Sequence, residues 1–491
     1  MPTIAPVKWP EGGAVTPEWV HRLASSLDAN TRSGEPPKNL SKCVAERARL
    51  PPHPVHPAPS SARTRITMND DAAFRLLTRL DAAPSPPTIL PFRRIFPKSA
   101  HEQLFKACTS LLESEPTLLQ LNPTPDVRVN VVGDTHGQLH DALKLLDLAG
   151  SPSETNWFVF NGDFVDRGAW GAELLAVAMA WKVAAPDHVF LLRGNHECEF
   201  CTEVYGYKRE LQVKYGKASG NALWRLFTRL GAALPLAARI GEKTLVLHGG
   251  LFRGRAKAPK KGGKKARKTT DAAAAGSLAV GTLKELAKAS KGGVDPDGEG
   301  DTQIAGDVLW SDPAAAEDVT GLVNNDNRGI GTMFGPDATE EFLRTNGLSL
   351  VLRSHEGPDA REDRENMPDM DGGFSVDHDI EGVGKLCTVF SAPDYPQFIE
   401  EGERRHFNKA TFVVLTAEGE WAVPAPVAFT AAKPRPNSEP YYDITVGGSD
   451  EEGPDGDLRV ERADADEAED EEDGKENGDA AAAATTTKPA K

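Results

Sequence analysis

The stretch "VRVNVVGDTHGQ", residues 127–138, decides how the chain is read. Val127, Val129 and Val131 alternate with polar residues, the period of a half-buried strand. The strand runs straight into an Asp and a His one residue apart, fenced by glycines. Asp134 and His136 are either turn residues or metal ligands. Taken singly, an Asp or His after a strand is more often a cap or turn residue, so the choice rests on whether the pattern recurs.

It recurs along the chain. Apolar runs end in Gly, Asn, Asp or His at "WFVFNGD", "HVFLLRGNHE", "TLVLHGG", "LSLVLRSHE" and "KLCTVFSAPD", and helical stretches such as "GAELLAVAMAWKV" and "GNALWRLFTRLGA" separate several of them. Strands alternating with helices predict a mixed α/β fold, with polar residues gathered at strand C-terminal ends, where open α/β sheets place ligands. Asp134, His136, Asp163, Asn195, His248 and His355 all close such runs, and all are oxygen or imidazole donors. Carboxylate mixed with imidazole suits Mn, Fe or Zn, and the absence of thiolate argues against a structural zinc site. Six such ligands suffice for two divalent ions if one carboxylate bridges. A dinuclear centre lowers the pKa of a bound water and clamps the attacking and leaving oxygens of an in-line displacement at phosphorus. Arg167 in "GDFVDRG" and Arg328 in "NRGIG", each followed by Gly, offer guanidinium forks that match phosphate. His196, directly after Asn195, is the candidate general acid, and Asp166 is the carboxylate to orient it.

"GDTHGQ", "GDFVDRG", "LLRGNHE", "HGG", "RGIG", "RSHE" and "FSAPDY", in that order, resemble the signature series of the PPP family of metal-dependent serine/threonine protein phosphatases, over roughly Val127 to Val414. Within it, "WPEGG", "GDVLWSDP", "HEGPDARE", "SAPDYPQF" and the "KPRP" to "PYYD" tract are most similar to the plant-type phosphatase 7 branch. The resemblance implies a calcineurin-like metallophosphatase, an α/β fold whose two-sheet β-sandwich is flanked by helices and whose site lies where strand ends meet. It implies one ion held by Asp134, His136 and Asp163, and a second by Asp163, Asn195, His248 and His355, with Asp163 bridging. His196 paired with Asp166 would then donate the proton. Arg167 and Arg328 would grip the phosphate, with Tyr395 and Tyr205 lining the cleft. The implied reaction is hydrolysis of phosphoserine and phosphothreonine monoesters in phosphoprotein substrates by a hydroxide held between the metals.

Two other readings stand beside it, a nuclease or small-phosphoester hydrolase on the same scaffold, and a catalytically dead scaffold. "RGIG" and "SAPDY" favour the protein phosphatase, the acidic tail disfavours nucleic acid, and the intact ligand set disfavours a dead scaffold. One departure stands out. The family's usual "SAPNYC" reads "SAPDYP", placing Asp394 in the loop that would face substrate, where a carboxylate is expected to repel acidic ligands.

Around this core the composition shifts. The formal charge is -17, and between Asp450 and Asp479 sixteen acidic residues face three basic ones, so the tail carries most of the excess. The expected organisation is a "WPEGG" segment and short helix over 1–28, with Thr16 as N-cap and Val20, Leu23, Ala24 and Leu27 on one face. A Pro/Ser-rich linker follows over 29–87, a catalytic domain over 88–445, and an acidic disordered tail over 446–491. Ser99 with Glu102 reads as a capping box opening the helix before the motif region. A basic low-complexity insert over 253–306, with nine basic and no acidic residues from Arg253 to Lys268, reads as a surface loop with a nuclear-import patch as the alternative. The resemblance also suggests calmodulin contact in this insert. Calmodulin targets need bulky apolar anchors at helical spacing, however; "APKKGGKKARK" has none, and "TLKELAKASKGG" offers only Leu283 and Leu286. Five scattered cysteines suit a reducing compartment, and "CEFC", Cys198 to Cys201, lacks the further ligands a zinc site needs. With neither a secretory signal nor a membrane-length apolar run, an intracellular protein of nucleus or cytoplasm, without membrane contact, is expected.

Overall fold

A computed structural model describes residues 7–10, 13–32, 92–254, 278–362, 364–400 and 402–444. Two sheets dominate. One has the order β14-β13-β2-β3-β4, with β2 (Arg128–Val132), β3 (Asn156–Phe160), β4 (Val189–Leu191), β13 (Ala410–Leu415) and β14 (Ala425–Phe429). The other has the order β1-β5-β6-β10-β12-β11, with β1 (Leu118–Leu121), β5 (Ala237–Ile240), β6 (Thr244–Leu247), β10 (Leu350–Arg353), β11 (Phe374–Ile380) and β12 (Gly384–Val389). A small third sheet joins β7 (Asp312–Pro313), β9 (Thr332–Phe334) and β8 (Leu322–Asn324).

Alternation within β2 shows how the layers form. Val127, Val129 and Val131 enter a core shared with Val246, Leu350, Leu352, Cys387 and Val389 of the second sheet, so the two sheets pack face to face. Val132 points the other way, into a larger core made with the helices. Lys98–Ser114, Gly171–Ala184 and Lys217–Ala233 contribute to it. Gly171–Ala184 is buried nearly all round, which is why its sequence shows no polar face. Another set of residues, including Phe252, Leu286, Val308 and Phe342, covers the outer side of the second sheet. The result is the α/β sandwich flanked by helices that the motifs imply.

Within each sheet, three neighbouring strands run parallel. Val131 of β2 is in register with Val159 of β3, which pairs with Phe190 of β4. Leu352 of β10 is in register with Val246 of β6 and Cys387 of β12. Strands of the two parallel sets therefore end in the loops that carry the polar motifs, and cross-sheet bonds stitch those ends together. Gly133 N donates to Ser391 Oγ at 2.9 Å, Asn161 Nδ2 to the Leu247 carbonyl at 2.7 Å, and His355 N to Asp134 Oδ2 at 3.0 Å.

The amino-terminal helix, Pro17–Thr31, is capped by Thr16 as expected and runs past residue 28. Val20, Leu23 and Leu27 are fully buried in the helical core. Trp19 donates to the Lys8 carbonyl at 2.9 Å and meets Trp9 edge-on, which ties the "WP" turn to the helix.

Two expectations need correction, the start of the helix before the motifs and the extent of the insert. Lys98–Ser114 begins before Ser99, and its N-cap is Pro97, which supplies no side-chain cap. The extended backbone that proline favours sets the start two residues early, and the Pro97 carbonyl takes the Ala100 and His101 amides at 2.9 and 3.1 Å. "CEFC" is a helix start: Cys198 Sγ accepts from Cys201 N at 3.3 Å. Nor is the segment 253–306 a surface loop throughout. Residues 278–306 are built into the body, with Leu286 fully buried and the helix Leu283–Leu286 closed by a capping box from Thr282 and Glu285. Arg193, fully buried, donates to the carbonyls of Lys291 at 2.7 Å and Val294 at 3.1 Å. The basic run from residue 255 to residue 277, the linker from residue 33 and the tail from residue 446 lie outside the described residues, as do the import-patch reading and the "APKKGGKKARK" part of the insert in which the resemblance suggests calmodulin contact. Leu283 and Leu286 are committed to the core. Among the described residues no helix is long and apolar enough to cross a membrane.

The insert thus has two parts with different consequences for stability. Arg253 and Val280 form a β-bridge, and Gly254 N donates to the Ala279 carbonyl at 2.8 Å, so removal of 255–277 is expected to shift Tm by no more than about 3 °C. Extending the deletion to residue 300 takes the Lys291 and Val294 carbonyls from Arg193 and leaves it that of Glu197. Breaking such a buried charge costs about 3–5 kcal/mol, and a loss of about 10 °C or failure to fold is expected by thermal denaturation.

Candidate active site and metal centre

Each candidate ligand sits where its motif leaves a strand. Asp134 and His136 follow β2, Asp163 follows β3, Asn195 and His196 follow β4, His248 follows β6 and His355 follows β10. All are buried, none more than 2 % exposed. The loops that carry them are forced into the left-handed region at non-glycine residues: φ is 37° at His136, 52° at Asp163, 67° at Asp166, 63° at Arg167, 73° at His355 and 53° at Asp394. Such conformations are sparsely populated and cluster where function over-determines the backbone. Gly194 has a steric role as well. A Cβ there would lie 2.1 Å from Asp163 Oδ1, so no other residue admits the carboxylate so close.

Ligand-type atoms converge in two groups, His136 with Asp163 and His196, and Asp163 with His248 and His355. Asp163 belongs to both and Asp134 to neither. Asp163 Oδ2 lies 3.6 Å from His136 Nε2 and 3.5 Å from His248 Nε2. Asn195 Oδ1 lies 2.8 Å from His248 Nε2 and 3.1 Å from His355 Nδ1. Atoms about 2.0–2.2 Å from a common ion stand at separations of this order. Asp134 Oδ1 lies 3.7 Å from His248 Nδ1, while its other oxygen accepts from His355 N.

Whether these residues fit metal ions is decided by lone pairs. His248 Nδ1 donates to the Asn161 carbonyl at 2.8 Å, and His136 Nδ1 to the Val165 carbonyl at 3.1 Å. Each neutral ring then turns a lone pair on Nε2 toward the oxygens already described, the second-shell arrangement that orients metal-binding histidines. Lone pair facing lone pair is unfavourable unless a cation or proton lies between. Accordingly His248 is pushed up to about 9: burial opposes its charge, but Asp163 and Asp134 favour it. Burial pushes Asp134 up to about 8, with His248 pulling the other way and Asp163 adding to the rise. Asp163 Oδ2, Asp134 Oδ1 and His355 Nε2 are buried without a hydrogen bond among the described residues. An oxygen and imidazole donor set with a demand for positive charge fits divalent ions.

Beside the ligands stands the acid pair. His196 Nδ1 lies 2.8 Å from Asp166 Oδ2, and Asp166 Oδ1 accepts from Tyr207 N at 2.8 Å. Burial raises Asp166, with His196 drawing it back. Arg167 packs its guanidinium 4.0 Å from the centre of the Tyr205 ring. Arg328 Nε donates to Asp312 Oδ2 at 2.6 Å, and Asp312, held down at about 2 by Arg328 and Arg353 against its burial, lies 4.0 Å from His355 Nε2. Tyr395 stacks on His136 with centroids 5.1 Å apart. The sequence candidates are thereby joined into one contiguous cluster.

Several contributors were missed by the sequence reading. Glu197 accepts from Asp163 N, Phe164 N and Gly194 N at 2.8–2.9 Å and so fixes the turn that presents Asp163. Burial, then the Asp163 charge, raises it to about 7 against those amides. Glu356 gathers Arg353, Arg361 and Arg364. Both residues follow a candidate histidine ligand or acid in "GNHE" and "RSHE", a repeated offset that was the available signal. Asn161 and Asp312 carried none.

Asp394 behaves differently from the expectation. Arg405 clasps it through two bonds of 2.7 and 2.8 Å, and Arg435 Nη1 lies 3.5 Å away. Arg435 is shared with Asp141, so two guanidiniums face two carboxylates and the Asp394 charge is offset within the rim, where the expectation took it as unpaired.

Residues 127–359 match the family model of calcineurin-like phosphoesterases. Serine/threonine-protein phosphatase 7 of Arabidopsis thaliana is 39% identical over 91% of this chain and 95% of its own length. Human serine/threonine-protein phosphatase 5 is 32% identical over 71% of this chain and 57% of its own. Among solved structures, a protein serine/threonine phosphatase from Saccharomyces cerevisiae superposes with a TM-score of 0.53 at 30% identity, covering 70% of this chain and 93% of that one.

Arg405→Ala is expected to raise KM for an acidic phosphopeptide several-fold at low salt, with the effect fading above about 0.3 M salt as rim charges are screened. Steady-state kinetics across ionic strengths give the check, and an unchanged or lower KM contradicts the offsetting of Asp394 by Arg405.

Proposed function

This chain belongs to the family of serine/threonine-protein phosphatases built on a calcineurin-like phosphoesterase domain, and from that premise we propose that the cluster around Asp163 hydrolyses phosphoserine and phosphothreonine monoesters in phosphoprotein substrates. The observation that carries the reading is the sharing of one carboxylate by two imidazole groups whose lone pairs face buried oxygens. Asp134, His136 and Asp163 would hold one divalent ion, and Asp163, Asn195, His248 and His355 the other, with Mn, Fe or Zn suited to such donors. Bound there, the ions supply Lewis acidity and a water of lowered pKa.

The protein's own groups do the rest. Arg167 and Arg328 grip the phosphate oxygens, the first braced by Tyr205 and the second by Asp312. Tyr395 walls the cleft against His136. His196 gives a proton from Nε2 to the departing serine or threonine oxygen, while Asp166 holds Nδ1–H and keeps the ring aimed. Glu197 locks the Asp163 turn before substrate arrives, so no reorganisation is needed during the reaction. Calmodulin contact would fall to residues 255–277, whose apolar content is alanine and proline.

Asp163→Asn is expected to lower bound metal from about two ions per chain to fewer than one and to abolish turnover, because one side chain serves both ions. Elemental analysis with phosphopeptide hydrolysis checks it; wild-type metal content refutes the shared-ligand assignment.

For the proton donor, His196→Asn should slow a phosphoserine peptide by about a hundredfold or more. The loss should be far smaller for 4-nitrophenyl phosphate, whose phenolate departs without protonation. Equal losses on both substrates would show that His196 serves some other purpose.

A further inference from the structure

From β14 to residue 444 the chain stays against the body. Lys144 Nζ donates to the Thr430 carbonyl at 2.6 Å, and Ala432 N to Asp141 Oδ1 at 2.6 Å. Arg435 is the main fastening: Nη2 donates to Asp141 Oδ2 at 3.0 Å and the Pro393 carbonyl at 2.9 Å, and Nη1 to the Asp394 carbonyl at 3.2 Å. Arg32 Nη1 adds a bond of 3.3 Å to the Pro434 carbonyl. The strap then reaches the junction between the helices Glu199–Val204 and Tyr207–Tyr215. Tyr441 packs there against the helical core, 5.8 Å from Lys214 Nζ. A Cβ on Gly206 would stand 3.4 Å from atoms of both Tyr441 and Tyr442, so the strap passes directly over that backbone. Tyr442 thereby comes to 5.7 Å, ring centre to guanidinium carbon, from Arg167.

Two aromatic rings therefore address one guanidinium, Tyr205 from the helical framework and Tyr442 from the strap. An arginine on a left-handed turn has several rotamers, and a bidentate grip on phosphate needs one of them selected beforehand. We propose that Tyr442 is a positioning residue for Arg167, and that the strap fastened by Arg435 is a working wall of the phosphate-binding cleft. This rests on the reading of Arg167 as a phosphate ligand. Cation and ring attract, and each ring also removes space into which the guanidinium would otherwise swing. The contribution falls on binding, since Tyr442 addresses the guanidinium read as the phosphate ligand.

The test uses the metal-loaded full chain, with inorganic phosphate as competitive inhibitor of 4-nitrophenyl phosphate hydrolysis. In Tyr442→Ala, the phosphate Ki and the substrate KM should rise together by about three- to tenfold, with kcat held within about twofold, and Tyr442→Phe should restore both. Arg435→Ala, which unties the strap away from Arg167, should move Ki in the same direction. Arg167→Ala is the control. If it raises Ki while Tyr442→Ala does not, the strap proposal falls and the phosphate reading stands; if it leaves Ki unchanged, the phosphate reading falls with it. A Ki that drops in Tyr442→Ala would overturn the proposal by showing that the strap obstructs the cleft.

Discussion

Everything in this molecule is arranged around a carboxylate that cannot be satisfied by the protein alone. Asp163 is fully buried, takes one amide hydrogen bond from His196 and turns its other oxygen toward two imidazoles. Burial opposes its ionisation, yet it is held below the ordinary carboxylate range by His248, His196 and His136. A site that gathers negative charge and lone pairs away from water stands only if cations join it. The sandwich supplies the rigid surroundings. Parallel strands from both sheets end beside one another, and backbone bonds between the sheets leave the ligand loops little freedom to relax.

The same constraint explains the layers of support. Glu197 spends its carboxylate on three backbone amides of the Asp163 and Gly194 turns, and Glu356 spends its own on three arginines. One of those arginines, Arg353, also bonds Asp312, which braces Arg328. The cation proposed to grip phosphate and a candidate metal ligand are thus connected through a buried ion network in which every charge has a partner of opposite sign. Such networks add little net stability over apolar packing. Their use here is geometric, since they determine where a guanidinium points.

How far the sequence could be read follows from this division. Strand ends were legible because period-two apolar runs stop abruptly at donors of one chemical type, and β2 shows the rule in Val127, Val129 and Val131, all buried between the sheets. Candidate ligands were legible for the same reason. Their supports were not, because Asn161 and Asp312 look like any turn residue until the fold puts a particular carbonyl or arginine beside them. Asp394 was misread because the charge of a rim depends on Arg405 and Arg435, which lie 11 and 41 positions away in the chain. The helix before the motifs starts two residues earlier than its sequence suggests because a proline's backbone outweighed a plausible capping box. Low complexity hid the ordered half of the insert, since "KGGVDPDGEG" is glycine-rich and polar although its carbonyls satisfy a buried arginine.

The anchoring of that ordered half has an evolutionary side. Lys291 Nζ donates to the carbonyls of Leu112 and Ala233, capping the ends of two helices at once, while Arg253 and Val280 are bridged where the chain departs and returns. A tract joined to the body at two adjacent points is decoupled from it in length. Closing such a loop depends on the logarithm of its size, so doubling it costs only about 0.6 kcal/mol. The gap between Gly254 and Leu278 is therefore a place where whole sequences can be exchanged, lengthened or fused in without the catalytic body registering the change.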